Sequence, residues 1–301
     1  MALPIVTESD IGTLVPGVTA VGHPQKGGQK LVFPCTASGV RCAIKVMLAS
    51  PEPKDQGPND GSEAFFDEVA ERARREVAII GQCDCPSLIK LGPIGLTRAS
   101  LGAQSLVLFS EEWIDGRDLG RIIHEDGALS LGELVRLGKD VTNAIAALWS
   151  LQKVHRDIKP NNIMRRNGTG DFVLLDMGFA LDLADQSLTS YGFIPGTQRY
   201  FSPEQTDLVR KRLLDFRSDL FQLGIVLYEA ATRQHPFWRP GMTTLEATQA
   251  MLGSNPLSPK HYRPEIPAAL EQIIVRLLAK KPHLRYRNCD VLCQALSSVN
   301  V

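Results

Sequence analysis

Alternating apolar and polar positions predict a β-hairpin in the first 50 residues of the chain. Residues 31–36 are rich in apolar side chains, Ser38-Gly39 is a turn signal, and residues 41–48 alternate with a period of two. That period places Ala43 and Lys45 together on one face of the second strand. A lysine on a strand is usually just solvated, so the alternation alone gives Lys45 no role.

A loop and then a helix follow the hairpin. Residues 50–62 contain three prolines and two glycines and lack a periodic apolar set, which predicts a loop. From residue 63 to 80, with Gly81 as a stop signal, apolar residues recur at helical spacing at Phe65, Val69, Ala73 and Ile80. The same inward row contains Glu76. A carboxylate there either meets a buried cation or reaches outward from the helix edge, and the pattern leaves both readings open.

Short strands are predicted over residues 88–96 and 106–109, and the chain then becomes helical. Ser130 and Glu133 form a capping box, and the apolar stripe that begins at Leu134 steps by three and four residues. This pattern predicts an amphipathic helix that runs to Leu151.

Two more helices are predicted in the second half. Residues 219–231 are apolar on nearly all sides, which is typical of a helix at the centre of a domain. Residues 268–281 form an amphipathic pattern that ends before Pro282. The second part of the chain is therefore expected to be mainly α-helical.

Composition narrows the class of protein. The 301 residues include 33 Lys+Arg and 33 Asp+Glu, and this balance argues against a nucleic-acid or membrane-surface partner. The hydrophobic fraction of 44% excludes a disordered chain. The chain has no apolar run long enough to cross a membrane and no signal-peptide pattern at its start, so we expect a cytoplasmic protein with reduced cysteines. Cys83-x-Cys85 lacks a second pair with zinc-ligand spacing.

Two motifs in the second half carry candidate chemistry. The sequence HRDIKPNN occupies residues 155–162, directly after the capped helix, and an apolar run ends in DMG at residues 176–178. Either motif alone reads as a polar loop or a turn. Their joint occurrence in this order is much more specific.

On these motifs the chain resembles the eukaryotic-type (Hanks-type) serine/threonine protein kinases, whose catalytic loop reads HRDxKxxN and whose metal motif reads DFG. CAIK at residues 42–45 is similar to the family's VAIK, and GTQRYFSPE at residues 196–204 to the end of its activation segment. The resemblance covers nearly the whole chain, so the expectation from the sequence is a free-standing kinase domain.

The resemblance implies an α+β, two-lobed protein-kinase fold. Residues 1–114 would form a small β-rich N-lobe that binds nucleotide and contains the αC helix, with residues 50–62 as a loop insertion. Residues 115–301 would form a larger, mainly α-helical C-lobe with the catalytic loop, the activation segment and the surface that docks substrate.

On the catalytic side, the resemblance implies that Asp157 orients the acceptor hydroxyl and takes its proton. Lys159 would contact the transferring phosphate. Asn162 and Asp176 would bind Mg²⁺, with Mn²⁺ as an alternative ion, through hard oxygen ligands. By the family pattern alone, lysine at position 159 together with Gly196-Thr197 implies Ser/Thr rather than Tyr acceptors.

On the nucleotide side, the resemblance implies that Lys45 holds the α- and β-phosphates of ATP while Glu76, at the position of the αC glutamate, fixes Lys45. Backbone groups of Glu112 and Ile114 would contact adenine. Further residues assigned to the ATP site are Ala43, Gly27 and Gly28.

The sequence departs from the family in three places. Only Gly27 matches a glycine of the family's phosphate loop, GxGxxG. Gly27 and Gly28 then either let the backbone approach a phosphate or form a plain hairpin turn. Met177 replaces the Phe of DFG and is expected to fill the same apolar slot. Glu111 falls at the gatekeeper position, where a charge is unusual, which leaves the hinge register open by one residue.

Other family positions suggest structural and regulatory roles. Asp219 would brace the backbone of the catalytic loop, and Arg285 would pair with a buried Glu204. Arg156 suggests control by a phosphate on the activation segment. The candidate acceptors are Ser187, Thr189, Ser190 and Tyr191.

The predicted function is transfer of the γ-phosphate of ATP to Ser/Thr hydroxyls of protein substrates, with autophosphorylation and dimerisation that permits it in trans. One alternative is a pseudokinase scaffold that binds nucleotide or partner proteins. The irregular phosphate loop and Met177 leave this alternative open, while the intact site residues argue against it, namely Lys45, Glu76, Asp157, Asn162 and Asp176. The other is a small-molecule phosphotransferase on a related fold, against which residues 196–204 argue, because that segment docks peptide substrates.

Overall fold

The computed structural model describes residues 3–27, 30–49, 61–182, 197–206 and 214–301. Its internal contacts divide the chain into two compact units. The first unit comprises Met1–Cys83 and Ile89–Ile114, and the second comprises Asp84–Leu88 and Asp115–Val301. The short segment Asp84–Leu88, which a division at residue 114 would place with the N-lobe, thus makes its contacts in the second unit.

The first unit is built on a six-stranded antiparallel sheet. Its strand order is β1-β3-β4-β6-β5, and β2 also pairs with β3. The strands are β1 (Val18–Ala20), β2 (Gln25–Gly27), β3 (Lys30–Ala37), β4 (Val40–Ala49), β5 (Thr97–Leu101) and β6 (Gln104–Glu112).

The predicted hairpin is confirmed as β3 and β4, which pair from Ala37 and Val40 outward. Ser38 and Gly39 connect them with positive φ angles of 50° and 79°, as the tight hairpin turns that match the strand twist require. The apolar residues of β3 alternate in burial, so one face of the sheet covers a core.

Both faces of the central strand β4 are covered. On one face the core includes Ile11 of α1 (Glu8–Leu14), a short helix that the sequence pattern did not predict. On the other face Met47 and Ala49 pack against Val69 and Ala73 of α2 (Gly61–Gln82). Because both faces are buried, a lysine on this strand lies in the interior and is not solvated.

The helix predicted from residue 63 is confirmed as α2, which begins at Gly61. Residues 50–60 of the predicted loop lie outside the described residues, and Gly61 and Ser62 belong to the helix. The predicted inward row is confirmed from Val69 onward, since Val69, Ala73, Glu76 and Ile80 are all buried.

The strand predicted over residues 88–96 is wrong. Only isolated bridges form there, at Leu88 and Leu91. Pro93 lacks an N–H for a ladder, and a Cβ atom at Gly92 would lie 2.5 Å from Ser110 Oγ, so the segment passes too close to β6 for a regular strand.

The second unit is mainly helical. Its helices are α3 (Leu119–Glu125), α4 (Leu131–Ser150), α5 (Pro203–Thr206), α6 (Phe216–Thr232), α7 (Thr244–Gly253), α8 (Ala268–Leu277) and α9 (Cys289–Ser297). Antiparallel strands form two small sheets, β10-β9-β7 and β11-β8. The strands are β7 (Gly116–Asp118), β8 (Lys153–Val154), β9 (Ile163–Arg166), β10 (Phe172–Leu174) and β11 (Leu181–Asp182).

The capping box at the start of α4 is confirmed. Ser130 Oγ accepts a hydrogen bond from the Glu133 amide, and Glu133 Oε2 accepts one from the Ser130 amide at 3.0 Å. Each side chain thereby satisfies an N–H group that the first helical turn leaves without a partner.

The predicted central helix is confirmed as α6, whose side chains are buried nearly all round. The helix predicted to reach residue 281 ends earlier, because α8 stops at Leu277. Arg285 Nε donates to the carbonyl of Ala279 at 2.8 Å, so this carbonyl is satisfied outside a helix. Pro282 also disfavours helical backbone at the residue before it.

The six cysteines, all within the described residues, are free thiols. In the part of the chain that the structure describes, no helix is long and apolar enough to span a membrane.

Candidate active site

The loop after β8 holds its polar side chains on a braced backbone. Arg156 has a φ angle of 68°, a conformation that a non-glycine residue rarely adopts. The carboxylate of Asp219, buried in the first turn of α6, accepts hydrogen bonds from the His155 and Arg156 amides, both at 2.8 Å. The predicted bracing role of Asp219 is confirmed by these contacts.

Gln222 braces the same loop, a contact that the sequence analysis missed. Its Oε1 accepts a hydrogen bond from the Ile158 amide at 2.9 Å, and its Nε2 donates to the carbonyl of Arg156 at 2.9 Å. Gln205 also donates to the Arg156 carbonyl. The available signal was a glutamine three residues after Asp219 in a mostly apolar helix, a spacing that puts both side chains on one helix face.

The structure brings Asp157, Lys159 and Asn162 together in this loop. Lys159 Nζ donates to Asp157 Oδ2 at 2.8 Å, and Asn162 Nδ2 donates to the same oxygen at 2.9 Å. Asp157 is only 2% exposed. This burial raises the pKa of Asp157 to about 6, although the Lys159 ammonium acts in the opposite direction.

Asp176 is placed next to this cluster because β9, which follows Asn162, pairs with β10, which precedes Asp176. The amide of Leu175 donates to the carbonyl of Asn162 at 2.8 Å. Asp176 then adopts a left-handed φ of 65° and caps a short turn, Met177–Phe179. Met177 is buried, as expected for a residue that fills the apolar slot of the family phenylalanine.

The oxygen donors of Asn162 and Asp176 fit a hard divalent cation. Asn162 directs its amide nitrogen at Asp157, so its amide oxygen is the atom left for a cation. No cluster of three or more His, Cys, Asp or Glu side chains suits a metal within the described residues. A carboxylate with one further oxygen ligand and substrate phosphates is the arrangement that Mg²⁺ prefers over a cage made only of protein groups.

In the first unit, Lys45 of β4 is buried against two carboxylates. Its Nζ donates to Glu76 Oε1 of α2 at 2.6 Å, which confirms the predicted contact. It also donates to Glu111 Oε1 of β6. The three residues are 4%, 2% and 4% exposed, so this is a fully buried ionic cluster.

The contact between Lys45 and Glu111 was missed by the sequence analysis, which considered Glu111 only as a gatekeeper. In the pairing of β4 with β6, Glu111 lies opposite Ala43 while Phe109 lies opposite Lys45. Lys45 and Glu111 are therefore diagonal neighbours on one face of the sheet. Burial raises the pKa of Glu111, and the Lys45 ammonium opposes that rise.

The other residues predicted to bind nucleotide are placed as follows. Gly27 pairs with Lys30 at the end of the β2-β3 hairpin, and Gly28 lies outside the described residues. The Glu112 amide donates to the carbonyl of Lys90 at 2.9 Å, so a hydrogen bond between Glu112 and adenine would have to use its carbonyl. Ala43 lies within β4, and Ile114 is buried.

The end of the activation-segment motif is anchored as predicted. Arg285 Nη1 and Nη2 donate to the two carboxylate oxygens of Glu204 at 2.6 and 3.0 Å. Ser218 Oγ donates to the same carboxylate at 2.7 Å. The candidate phosphate acceptors Ser187, Thr189, Ser190 and Tyr191 lie outside the described residues.

Three features together define a protein of the kinase class. They are a β-sheet unit with a buried lysine–glutamate pair, a helical unit with a braced loop that carries Asp157, and Asp176 shortly after strand β10. The protein kinase domain family matches residues 26–296, and the chain belongs to this family. The predicted family and its two-lobed α+β fold are confirmed. ATP as phosphate donor, a divalent metal ion and protein substrates are properties of this family.

Curated bacterial proteins are similar to this chain. It is 31% identical over 217 residues to the serine/threonine-protein kinase PknB of Mycobacterium leprae. The aligned region covers 72% of this chain and 34% of that protein. It is 33% identical over 241 residues to the serine/threonine-protein kinase pkn3 of Myxococcus xanthus, which covers 76% of this chain and 42% of the relative.

A third relative is the serine/threonine-protein kinase PrkC of Bacillus subtilis, 30% identical over 223 residues, which cover 74% of this chain and 33% of PrkC. The chain thus matches between about a third and two fifths of the length of these three relatives.

Proposed function

We propose that this chain transfers the γ-phosphate of ATP to Ser or Thr hydroxyls of protein substrates. The observation that carries the proposal is the convergence of Lys159 Nζ and Asn162 Nδ2 on the buried carboxylate of Asp157. A carboxylate fixed in this way has one orientation, as a group that positions an acceptor hydroxyl requires.

In the proposed reaction the acceptor oxygen forms a bond to the γ-phosphorus, and the bond from that phosphorus to the β,γ-bridging oxygen breaks, so ADP leaves. Asp157 accepts the hydroxyl proton. Its pKa of about 6 leaves the carboxylate mostly ionised near neutral pH while keeping it basic enough to take a proton. Lys159, now paired with Asp157, would also neutralise charge on the transferring phosphate.

The nucleotide side of the proposal rests on Lys45. An ammonium that Glu76 fixes at 2.6 Å is a positioned cation for the α- and β-phosphates. Glu112, Ile114 and Ala43 are proposed to contact adenine, and Gly27 and Gly28 the phosphates. Asn162 and Asp176 are proposed to hold Mg²⁺ or Mn²⁺, an ion that when bound neutralises the phosphate charge.

The test is incubation of the purified protein with Mg²⁺ and γ-labelled ATP, with and without a basic Ser/Thr-containing protein, followed by mass spectrometry of the phosphosites. The decisive variant is Asp157→Asn, which keeps the size of the side chain. Asp171→Asn is the matched control, because Asp171 is an exposed carboxylate of the same unit. Label on Ser or Thr that is lost in Asp157→Asn and kept in Asp171→Asn would support the proposal.

Two other outcomes would contradict it. A folded protein whose melting temperature rises with ATP but that labels no protein would favour the pseudokinase scaffold. Label on small hydroxylated metabolites but not on protein would favour a small-molecule phosphotransferase.

Several expectations from the sequence stay proposals. They are a cytoplasmic location, the absence of nucleic-acid and membrane partners, dimerisation for autophosphorylation in trans, and control through Arg156 by a phosphate on the activation segment. The phosphosite map from the same experiment would test the last of these, because labelled sites on residues 187–191 would identify the regulatory acceptor.

A further inference from the structure

Lys45 has one more acidic partner than the role of a phosphate-binding lysine calls for. Its ammonium donates both to Glu76 of α2 and to Glu111 of β6. The two carboxylates come from different elements, and all three side chains are at most 5% exposed. Water therefore screens the interactions among these charges poorly.

The charge around Lys45 makes Glu111 a competitor for incoming phosphate. If both glutamates are ionised, they outnumber Lys45, and Lys30 of β3 is the other cation that acts on Glu111. A nucleotide triphosphate brings several further negative charges toward the same ammonium. A phosphate oxygen that binds Lys45 must therefore replace a carboxylate or lie beside both.

We propose that Glu111 is a positioning residue that holds the Lys45 ammonium in competition with the phosphates of ATP and thereby sets the affinity for ATP. The inference rests on the proposed function, because it assumes that Lys45 binds nucleotide phosphate. Glu76 would keep Lys45 in place when Glu111 releases it, since the Glu76 contact comes from α2 and does not depend on the β6 register.

The groups that face Glu111 fix the direction of its pH response. They are Lys45 of β4, Glu76 of α2 and Lys30 of β3. Burial, with Glu76 as a like charge, raises the pKa of Glu111 against the effect of the two lysines. As the pH falls, Glu111 takes up a proton, stops competing for Lys45 and adds no negative charge. The ATP affinity of the wild type should therefore rise toward that of a variant in which residue 111 cannot titrate.

The experiment measures the dissociation constants of Mg·ATP and of adenosine by calorimetry for the wild type and for Glu111→Gln. Gln has the same size but no charge. ATP affinity should rise about fivefold in the variant, while adenosine affinity should stay the same because adenosine has no phosphate. The dissociation constant of Mg·ATP for the wild type, divided by that for Glu111→Gln, should increase from pH 6 to pH 8.5.

Glu71→Gln is the matched control. Glu71 lies on α2, and its side chain is 53% exposed and pairs with Arg74, so this change removes the same charge from the same unit without touching Lys45. ATP affinity should be unchanged in Glu71→Gln. Glu111→Met, which removes both the charge and the hydrogen bond, is a second variant that should raise ATP affinity in the same direction.

Each other outcome overturns the inference. Equal ATP affinities in the wild type, Glu111→Gln and Glu111→Met would show that Glu111 does not compete for Lys45, while transfer activity in the wild type would leave the proposed function intact. A parallel change for adenosine and ATP would show that Glu111 acts on the base. If the wild type binds no ATP at any pH, the proposed function fails and this inference fails with it.

Discussion

The two units position one candidate site residue each, Lys45 and Asp157, by different means. In the first unit, Lys45 depends on the carboxylates of Glu76 and Glu111, which are themselves buried charges. In the second unit, Asp157 lies on a loop whose backbone amides and carbonyl are bonded by the side chains of Asp219 and Gln222.

Lys45 is therefore held by the balance of charges around it, whereas Asp157 is held by the position of its loop backbone. A cluster made of ions changes when any member gains or loses a proton, because the remaining charges lose their compensation. A loop held by hydrogen bonds to its backbone keeps its shape while a side chain such as Asp157 changes its protonation. We therefore expect substitutions that remove a charge to act mainly on the Lys45 cluster, and loss of bracing side chains to act mainly on the Asp157 loop.

The largest effect should come from Asp219→Ala. It leaves the buried amides of His155 and Arg156 without an acceptor, at a cost of about 4 kcal/mol in the free energy of unfolding. Urea unfolding at pH 7 measures this loss. Asp219→Asn, which retains one carbonyl oxygen, should lose about half as much. A loss below about 1 kcal/mol in Asp219→Ala would mean that the backbone contacts do not hold the loop.

Lys45→Met should produce the next largest effect, and this effect should depend strongly on pH. It leaves Glu76 and Glu111 buried without their shared cation, which should cost about 3 kcal/mol at pH 8. Burial already raises the pKa of Glu111, and loss of the Lys45 ammonium removes a charge that opposes this rise. The stability that such a group contributes is present below its unfolded pKa and is lost as the pH rises through its folded pKa, so the stability deficit of Lys45→Met should be smaller at pH 5 than at pH 8.

Hydrogen exchange of first-unit peptides at both pH values measures the Lys45→Met effect without interference from the second unit. Lys26→Met, at an exposed position of the same sheet, is the control and should change little. A deficit that is the same at pH 5 and pH 8 would contradict a cluster governed by charge.

His155 gives the braced loop its own smaller response to acid. Burial lowers the pKa of His155 to about 4, against 6.5 in the unfolded chain. A base with a lowered pKa contributes stability above pH 6.5, and this contribution is lost as the pH falls toward 4, by about 2 kcal/mol at pH 5.

His155→Asn tests this response. The variant loses the contact of Nε2 with the Leu175 carbonyl and should be less stable than the wild type at pH 7. Because Asn does not titrate, the gap in unfolding free energy should narrow by about 2 kcal/mol at pH 5. Parallel curves for the two proteins would show that His155 takes up a proton in the folded state without cost.

The smallest effect should come from Ser130→Ala at the start of α4, far from either set of buried charges in the sequence. The substitution removes the acceptor for the Glu133 amide and should cost about 1 kcal/mol in urea unfolding. Ser130→Asn should restore most of the loss, because Asn is also a favourable cap. If the unfolding free energy of Ser130→Ala changes with pH as that of the wild type does, the pH effects at Lys45 and His155 arise from their charges.

Much of the fold could be predicted from local signals. The hairpin of β3 and β4, the inward row of α2 and the cap of α4 follow from patterns within a few residues of each other. The error at residues 88–96 and the missed helix α1 have the opposite origin. Their conformations depend on packing against β6 and the sheet, which no short window of the sequence contains.

The candidate site divides in the same way. Asp157, Lys159 and Asn162 were recognised together because they lie within six residues, and the structure confirms their contacts. Their catalytic roles stay predictions.

Gln222 and Glu111 were missed as contacts because the family resemblance assigned them none and their partners lie more than 60 residues away, beyond any local pattern. Asp219 and Arg285 have equally distant partners and were predicted through the family resemblance.

The sequence by itself determined the family, the catalytic-loop residues and the elements whose caps and periodicity are local. Only the tertiary structure decided that Glu111 shares the ammonium of Lys45. That contact depends on the register of β4 against β6, and strands distant in the chain acquire their register from the packing of both sheet faces. A one-residue change in that register would turn Glu111 to the opposite face of the sheet and leave Lys45 to Glu76 alone.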